Sequence, residues 1–166
     1  AHVESIGQIV ARADAPDAFE SYWNNPTTTA RARRDGWYFT GDLGFRDRDG
    51  DLFVVGRADD TIVTGGENVH PTEVESALAG LPGVGEVCVV GLADERLGQA
   101  VSAFIVPSDP ALTEERVLEH CAASTLSRFK RPRRIVFVDE IPKSSVGKVR
   151  RHVLREAHSP SGAESC

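Results

Sequence analysis

The stretch GGENVHPTEVESALAGLPGVGEVCVV, residues 65–90, passes from a glycine turn to a helix and then to a strand, and so sets the fold class. Pro71 has a fixed φ and no amide hydrogen, which suits a first helical turn, where that hydrogen would have no partner. Glu73 and Glu75 suit the positive end of the helix dipole, and Gly80 or Gly83 can close the helix. Val74 and Leu78, with Ala77 and Leu81, mark its buried side, and EVCVV (86–90) reads as a strand.

Outward from this stretch the pattern stays mixed. VSAFIV (101–106) reads as a second strand. Thr113 reads as the N-cap of a helix that turns Val117, Leu118 and Cys121 inward, and IVFVDE (135–140) as a further strand. Pro142 to Gly147 is a turn-rich loop that feeds a last short helix, roughly Lys148 to Glu156. Residues 59–157 therefore read as a small α+β domain with an antiparallel sheet and flanking helices.

Upstream, GQIVARA, WYF and FRDRDGDLFVVG alternate strand-like and turn-like pieces, with a hairpin signal at Asp49-Gly50. Residues 1–58 are β-rich but too poor in apolar side chains to close a core, so they are expected to finish a sheet or barrel whose other strands lie upstream. Residues 158–166, HSPSGAESC, are small and polar and are expected to form a disordered tail.

Composition narrows the function classes. With 166 residues, 40% of them hydrophobic and 27% charged, the chain is long enough for one domain, or for a small domain and a piece of another. No run approaches the roughly 18 apolar residues of a membrane helix, and AHVESIGQIV lacks the order of a signal peptide, so a cytoplasmic protein without a membrane span is expected. Cys88, Cys121 and Cys166 show neither CxxC spacing nor an even count; the first two read as core fillers and the third as a free thiol. His70, His120 and His152 lack metal-ligand spacing. A net charge of −6 argues against nucleic acid, while the basic residues gathered between Arg128 and Arg134 and between Lys143 and Arg155 suggest a small anionic ligand.

Four segments in register carry a resemblance: TGDLG (40–44), GRADD (56–60), GGENVHPTEVE (65–75) and IPKSSVGKVRR (141–151). Together they resemble the C-terminal signatures of the adenylate-forming superfamily. GGENVHPTEVE followed by GLADERLGQAVSAFIVP (91–107) and FKRPRR (129–134) is similar to the acyl-CoA and aryl-CoA synthetases, 4-halobenzoyl-CoA ligases among them. The resemblance implies that residues 1–58 end a large N-terminal adenylation domain and that residues 59–157 are its mobile C-terminal lid. It also implies a ligase that uses ATP, Mg²⁺ and coenzyme A to activate a small carboxylic acid, in fatty or aromatic acid metabolism.

By spacing alone Asp42 reads as a turn residue, but the resemblance implies that its carboxylate takes the two vicinal hydroxyls of the nucleotide ribose. Arg57 reads either as an ion-pair partner of Asp59 or Asp60 or, by resemblance, as a fork for phosphate and ribose oxygens. Asp59 resembles the hinge on which the lid swings between the two half-reactions. Lys148 would otherwise be an ordinary solvated lysine; its place after the glycine of IPKSSVGKVRR implies the catalytic ammonium of adenylation, with Lys143 ranked second. Gly65 and Gly66 resemble the segment along the pantetheine, and Phe129, Arg131 and Arg133 the positions that hold the CoA nucleotide. Leu97 departs from the halobenzoyl-CoA relatives, which can present a large aromatic there.

These residues contain no Gly/Ser/Thr-rich phosphate loop and no acyl pocket, so the chain by itself is expected to be inactive. Two other functions compete: a free-standing, non-catalytic lid or CoA-binding module, and a peptide synthetase adenylation domain. The second would carry a basic segment where this chain has Gly66-Glu67-Asn68-Val69.

Overall fold

A single 3₁₀ turn, Ala58–Asp60, spans the point between Asp59 and Asp60 at which the chain divides into two units. The structure is a computed structural model, and it describes residues 5–159.

The first unit contains β1 (Gly7–Arg12), α1 (Pro26–Ala32), β2 (Arg33–Arg34), β3 (Trp37–Arg46) and β4 (Leu52–Arg57). β3 is the spine. β1 runs antiparallel along one edge, from Gly7 opposite Gly44 to Arg12 opposite Trp37, while β2 and β4 share the other edge. The β3–β4 hairpin turns where Asp49-Gly50 signals it: the Asp47 carboxylate accepts the amides of Asp49 (3.0 Å) and Asp51 (2.9 Å), and Gly50 takes a φ of 91°. The short α1 is not foreseen in the sequence; Asn25 caps it by accepting the Thr28 amide at 3.0 Å.

The second unit holds β5 (Ile62–Thr64), β6 (Glu67–Val69), α2 (Pro71–Ala79), β7 (Val84–Asp94), β8 (Gly98–Pro107), α3 (Glu114–Ala123), β9 (Arg134–Phe137) and α4 (Arg151–His158). β7 lines one edge of β8, from Val84 opposite Pro107 to Asp94 opposite Gly98, and the other edge takes β5 and then β9. The expected antiparallel pairing therefore holds except at β9, which is parallel to β8. The chain leaves β8, crosses through α3 and returns in the same direction, a connection that makes parallel neighbours.

Alternation along the paired strands feeds two cores. Val89, Val101, Ala103 and Ile105 point to one face with Val74 and Leu78 of α2 and Val117 and Cys121 of α3. Cys88, Val90 and Phe104 point to the other with Ile141 and Leu154 of α4. Among the described residues, the buried hydrophobic side chains run from Ile62 to Leu154 and include none from the first unit, where Leu52, Phe53 and Val54 are exposed. Burial pushes the Cys88 thiol up to about 12 and raises that of Cys121 as well, in keeping with core fillers rather than nucleophiles.

Three sequence expectations are corrected. Leu118 is exposed, because Val117 and Cys121, four residues apart, define the inward face and Leu118 lies about 100° round the helix from it. α4 starts at Arg151 rather than near Lys148, since Lys143 and Val149 first pair as an antiparallel bridge and the Arg150 amide donates to Pro142 O at 2.8 Å. His158, assigned to the tail, ends α4 with its ring edge-on to Phe104, centroids 4.7 Å apart. The tail residues 160–166, with Cys166, lie outside the described residues. Among the described residues no helix is long and apolar enough to cross a membrane.

Leu78→Ala is expected to cost about 2–5 kcal/mol in urea unfolding, and Leu118→Ala under about 1 kcal/mol. Equal losses would put Leu118 in the core after all.

Candidate functional site

In the first unit, Asp42 and Arg57 are cross-strand partners on β3 and β4. Arg57 Nη1 donates to Asp42 Oδ1 at 2.9 Å and to Thr40 O at 3.0 Å. The guanidinium therefore meets Asp42 across the β3–β4 pair. Gly41 makes this possible: its φ is 81°, and a Cβ there would stand 2.7 Å from Arg57 Nη2. Thr40 fixes the backbone, its hydroxyl accepting the Asp42 amide and donating to Ile9 O, both at 3.0 Å. Thr40 and Gly41 were not singled out in the sequence, although TGDLG displays them. Half-exposed, the pair presents a carboxylate that can accept hydroxyl hydrogens beside a fork that can donate to oxygens.

Asp59, exposed, is the last residue of the first unit. Asp60, the first of the second unit, is turned inward to Arg151 and Arg155.

In the second unit, Gly65 and Gly66 form the two-residue turn between β5 and β6, with φ values of 59° and 85°. Positive φ at both positions is the hairpin geometry that favours glycine, so the backbone angle demands these residues. The Gly65 amide donates to Leu97 O at 2.9 Å. Leu97 in turn lines an open cleft of about 500 Å³ with Asp94, Arg96, Arg133 and Arg134. Asp94 shapes the floor by accepting the amides of Leu97 and Arg96, and these bonds hold its carboxyl below the usual range. Leu97 thus joins the Gly65 turn, through its carbonyl, to the cleft that Arg133 also lines. Phe129 and Arg131 do not line this cleft. Phe129 lies in the turn Arg128–Lys130, where Lys130 is bound to both Glu73 oxygens at 2.7 and 2.8 Å, and Arg131 Nε donates to Leu126 O at 3.2 Å.

Lys148 follows a tight loop. The Ser144 amide donates to Lys148 O at 2.8 Å, the Lys148 amide to Ser144 Oγ at 3.1 Å, and the Gly147 amide to Ser144 O at 2.9 Å, with Gly147 at φ 79°. Its side chain is exposed and makes no ion pair among the described residues. Lys143, its competitor, is held by Glu86 at 2.6 Å. A fixed backbone under a long, unpaired ammonium can present charge to an anion; a lysine already neutralised by a carboxylate is the weaker candidate. Ser144, which staples the loop, was also missed in the sequence. Among the described residues no group of three or more His, Cys, Asp or Glu side chains is placed to hold a metal ion.

With this geometry in hand, the likeness to known proteins is informative. Residues 73–148 match the family described as the AMP-binding enzyme C-terminal domain. The chain is 40% identical over 153 residues to long-chain-fatty-acid–CoA ligase FadD13 of Mycobacterium tuberculosis, covering 92% of this chain and 30% of that protein. It is 47% identical over 150 residues to 4-chlorobenzoate–CoA ligase of an Arthrobacter species, covering 90% and 28%. ATP-bound MatB from Rhodopseudomonas palustris superposes with a TM-score of 0.85 at 37% identity, over 94% of this chain and 31% of that one. The match thus falls within the second unit and makes it similar to the C-terminal domain of AMP-binding enzymes. The relatives of the chain as a whole are acyl- and aryl-CoA ligases, and it spans about 30% of their length.

Gly41→Ala is expected to destabilise the chain by about 1 kcal/mol or more, through left-handed strain and the clash with Arg57. In a double-mutant cycle Arg57→Ala should recover part of that loss; additivity within about 0.3 kcal/mol would show that the two residues do not touch.

Proposed function

We propose that this chain is the C-terminal part of an ATP-dependent carboxylate–CoA ligase, in which residues 1–58 complete a large adenylation domain and residues 59–157 act as its mobile lid. One observation carries the reading: Lys148 is an exposed ammonium, without an ion pair among the described residues, on a stapled loop at the end of the segment that matches the AMP-binding enzyme C-terminal domain.

In the first half-reaction a substrate carboxylate oxygen attacks the α-phosphorus of ATP and pyrophosphate leaves. Attack brings two anions together and builds charge on the phosphoryl oxygens, and Lys148 Nζ lowers the barrier by standing there. Asp42 accepts from the ribose hydroxyls, and Arg57 turns its fork to phosphate and ribose oxygens. In the second half-reaction the CoA thiolate attacks the acyl carbon and AMP leaves. Between them the lid turns at Asp59, withdrawing Lys148 and bringing Gly65 and Gly66 beside the pantetheine. Phe129, Arg131 and Arg133 then receive the CoA nucleotide. That Phe129 and Arg131 stand outside the Leu97 cleft favours Arg133 as the first contact for a CoA phosphate.

Mg²⁺ shields the triphosphate in such chemistry; the described residues offer it no cluster, so no step here is assigned to a metal held by this chain. The phosphate loop and acyl pocket are contributed by the large domain, and the chain alone is inactive. The relatives activate acids as different as long-chain fatty acids and 4-chlorobenzoate, so the substrate class proposed is a carboxylic acid.

The test is ATP–pyrophosphate exchange with the complete enzyme across a panel of carboxylic acids. Lys148→Ala is expected to lower exchange by about 10²–10³ fold, while thioester formation from preformed acyl-adenylate changes by no more than about threefold. Equal losses in both steps would refute this division of labour.

A further inference from the structure

Behind the Lys148 loop lies a charge network that the reaction scheme does not use. Arg151, the first residue of α4, sends Nη2 to both carboxylate oxygens of Glu75 on α2, at 2.7 and 2.9 Å. Its Nη1 lies 3.5 Å from Asp60 Oδ2, and Arg155 Nη2 lies 3.6 Å from Asp60 Oδ1. Glu75 Oε1 also accepts the Val89 amide of β7 at 2.8 Å. The side chains of Arg151, Asp60 and Glu75 are only 20%, 20% and 17% exposed.

Stability alone is a poor reason for this arrangement. Apolar side chains of similar volume would fill such a site at least as well, since they avoid desolvating four charges. Arg151 Nε is moreover buried without a hydrogen-bond partner among the described residues, a defect that a simpler residue would avoid. What the network does achieve is directional. Ile141 and Leu154 pack on the Phe104 face and set how deep α4 sits, but apolar contact is non-directional and leaves the helix able to rotate or slide. A guanidinium with Nη2 on Glu75 and Nη1 turned to Asp60 is held from two directions at once, which restricts how α4 can rotate.

The three segments joined here are those that matter to the proposed reaction. Asp60 follows Asp59, Glu75 lies on the helix after the Gly65-Gly66 turn, and Arg151 comes three residues after Lys148. We infer that the Asp60–Arg151–Glu75 network is a positioning device that fixes the Lys148 loop to the hinge end of the second unit, with Arg151 acting on adenylation through Lys148. The inference rests on the reading of Lys148 above. When the lid turns, an ammonium so anchored follows the hinge as part of one body, and displacement of a reacting group by about 1 Å can cost about 10² fold in rate.

The experiment uses the complete ligase with Arg151→Met, Glu75→Gln and Lys148→Ala, singly and with Lys148→Ala combined with each of the others. Arg151→Met is expected to lower kcat for adenylation by about tenfold or more, with KM for ATP and thioester formation from preformed acyl-adenylate each within about twofold. In the Lys148→Ala background it should add less than about twofold, because the group it positions is gone. An undiminished loss in that background, or equal loss in both half-reactions, makes the network merely structural and overturns the inference while leaving Lys148 in its role. Full adenylation by Lys148→Ala would instead defeat the reading of Lys148 and the inference with it.

Should Arg151→Met fail to fold, Glu75→Gln keeps an acceptor for Val89 and removes only the charge. Amide hydrogen exchange on the present chain should then quicken about tenfold or more at Lys148 and Arg150, with Ile105 of β8 unchanged. Unaltered exchange at Lys148 and Arg150 would overturn the inference equally.

Discussion

The pairing of β7 with β8 is the constraint on which the second unit depends. Each strand sends alternate side chains to opposite faces, so the ribbon must be covered twice: by α2 and α3 over Val89, Val101 and Ile105, and by α4 over Cys88, Val90 and Phe104. At about 1.5–3 kcal/mol for each large apolar side chain fully buried, these two layers are the principal source of order. The register matters as much as the burial. A slip of one residue would exchange the two faces and carry Gly98 away from Thr64, and with it the Gly65 turn that hangs on Leu97. The geometry of the Gly65 turn and the Leu97 cleft is therefore inherited from the centre of the sheet.

The first unit is organised differently. Among the described residues it has no buried hydrophobic side chain, and Asp42 and Arg57 are set by backbone pairing between β3 and β4, a threonine hydroxyl and the missing Cβ of Gly41. Lys148 is served by a similar economy, with Ser144 and Gly147 closing a loop whose side chains remain exposed. In both places backbone hydrogen bonds and glycine turns fix where the polar side chain starts.

The parts legible in the sequence were those governed by near neighbours. Pro71 begins α2 and Thr113 caps α3, because both effects act within one helical turn. Val74 and Leu78 were legible as core residues by their spacing, and the hairpin at Asp49-Gly50 by its turn chemistry. Leu118 was not, since a run of two apolar residues beside Cys121 leaves the edge of the buried stripe to be decided by what packs there. The direction of β9 and the late start of α4 were hidden for the same reason: both depend on a crossover and a bridge between residues that meet only once the sheet exists.

The sequence by itself determined the α+β class, the order of the main elements of the second unit, and the family signatures that single out Asp42, Arg57 and Lys148, because each is written in residue type and short spacing. Only the tertiary structure decided that Arg57 meets Asp42, that Lys143 pairs with Glu86 while Lys148 makes no ion pair among the described residues, and that Asp60, Glu75 and Arg151 share one partly buried network. Those outcomes join residues from 15 (Asp42 to Arg57) to 91 (Asp60 to Arg151, 151 − 60) positions apart. A charge selects its partner by distance in space, and that distance is set by the packed sheet, not by position along the chain.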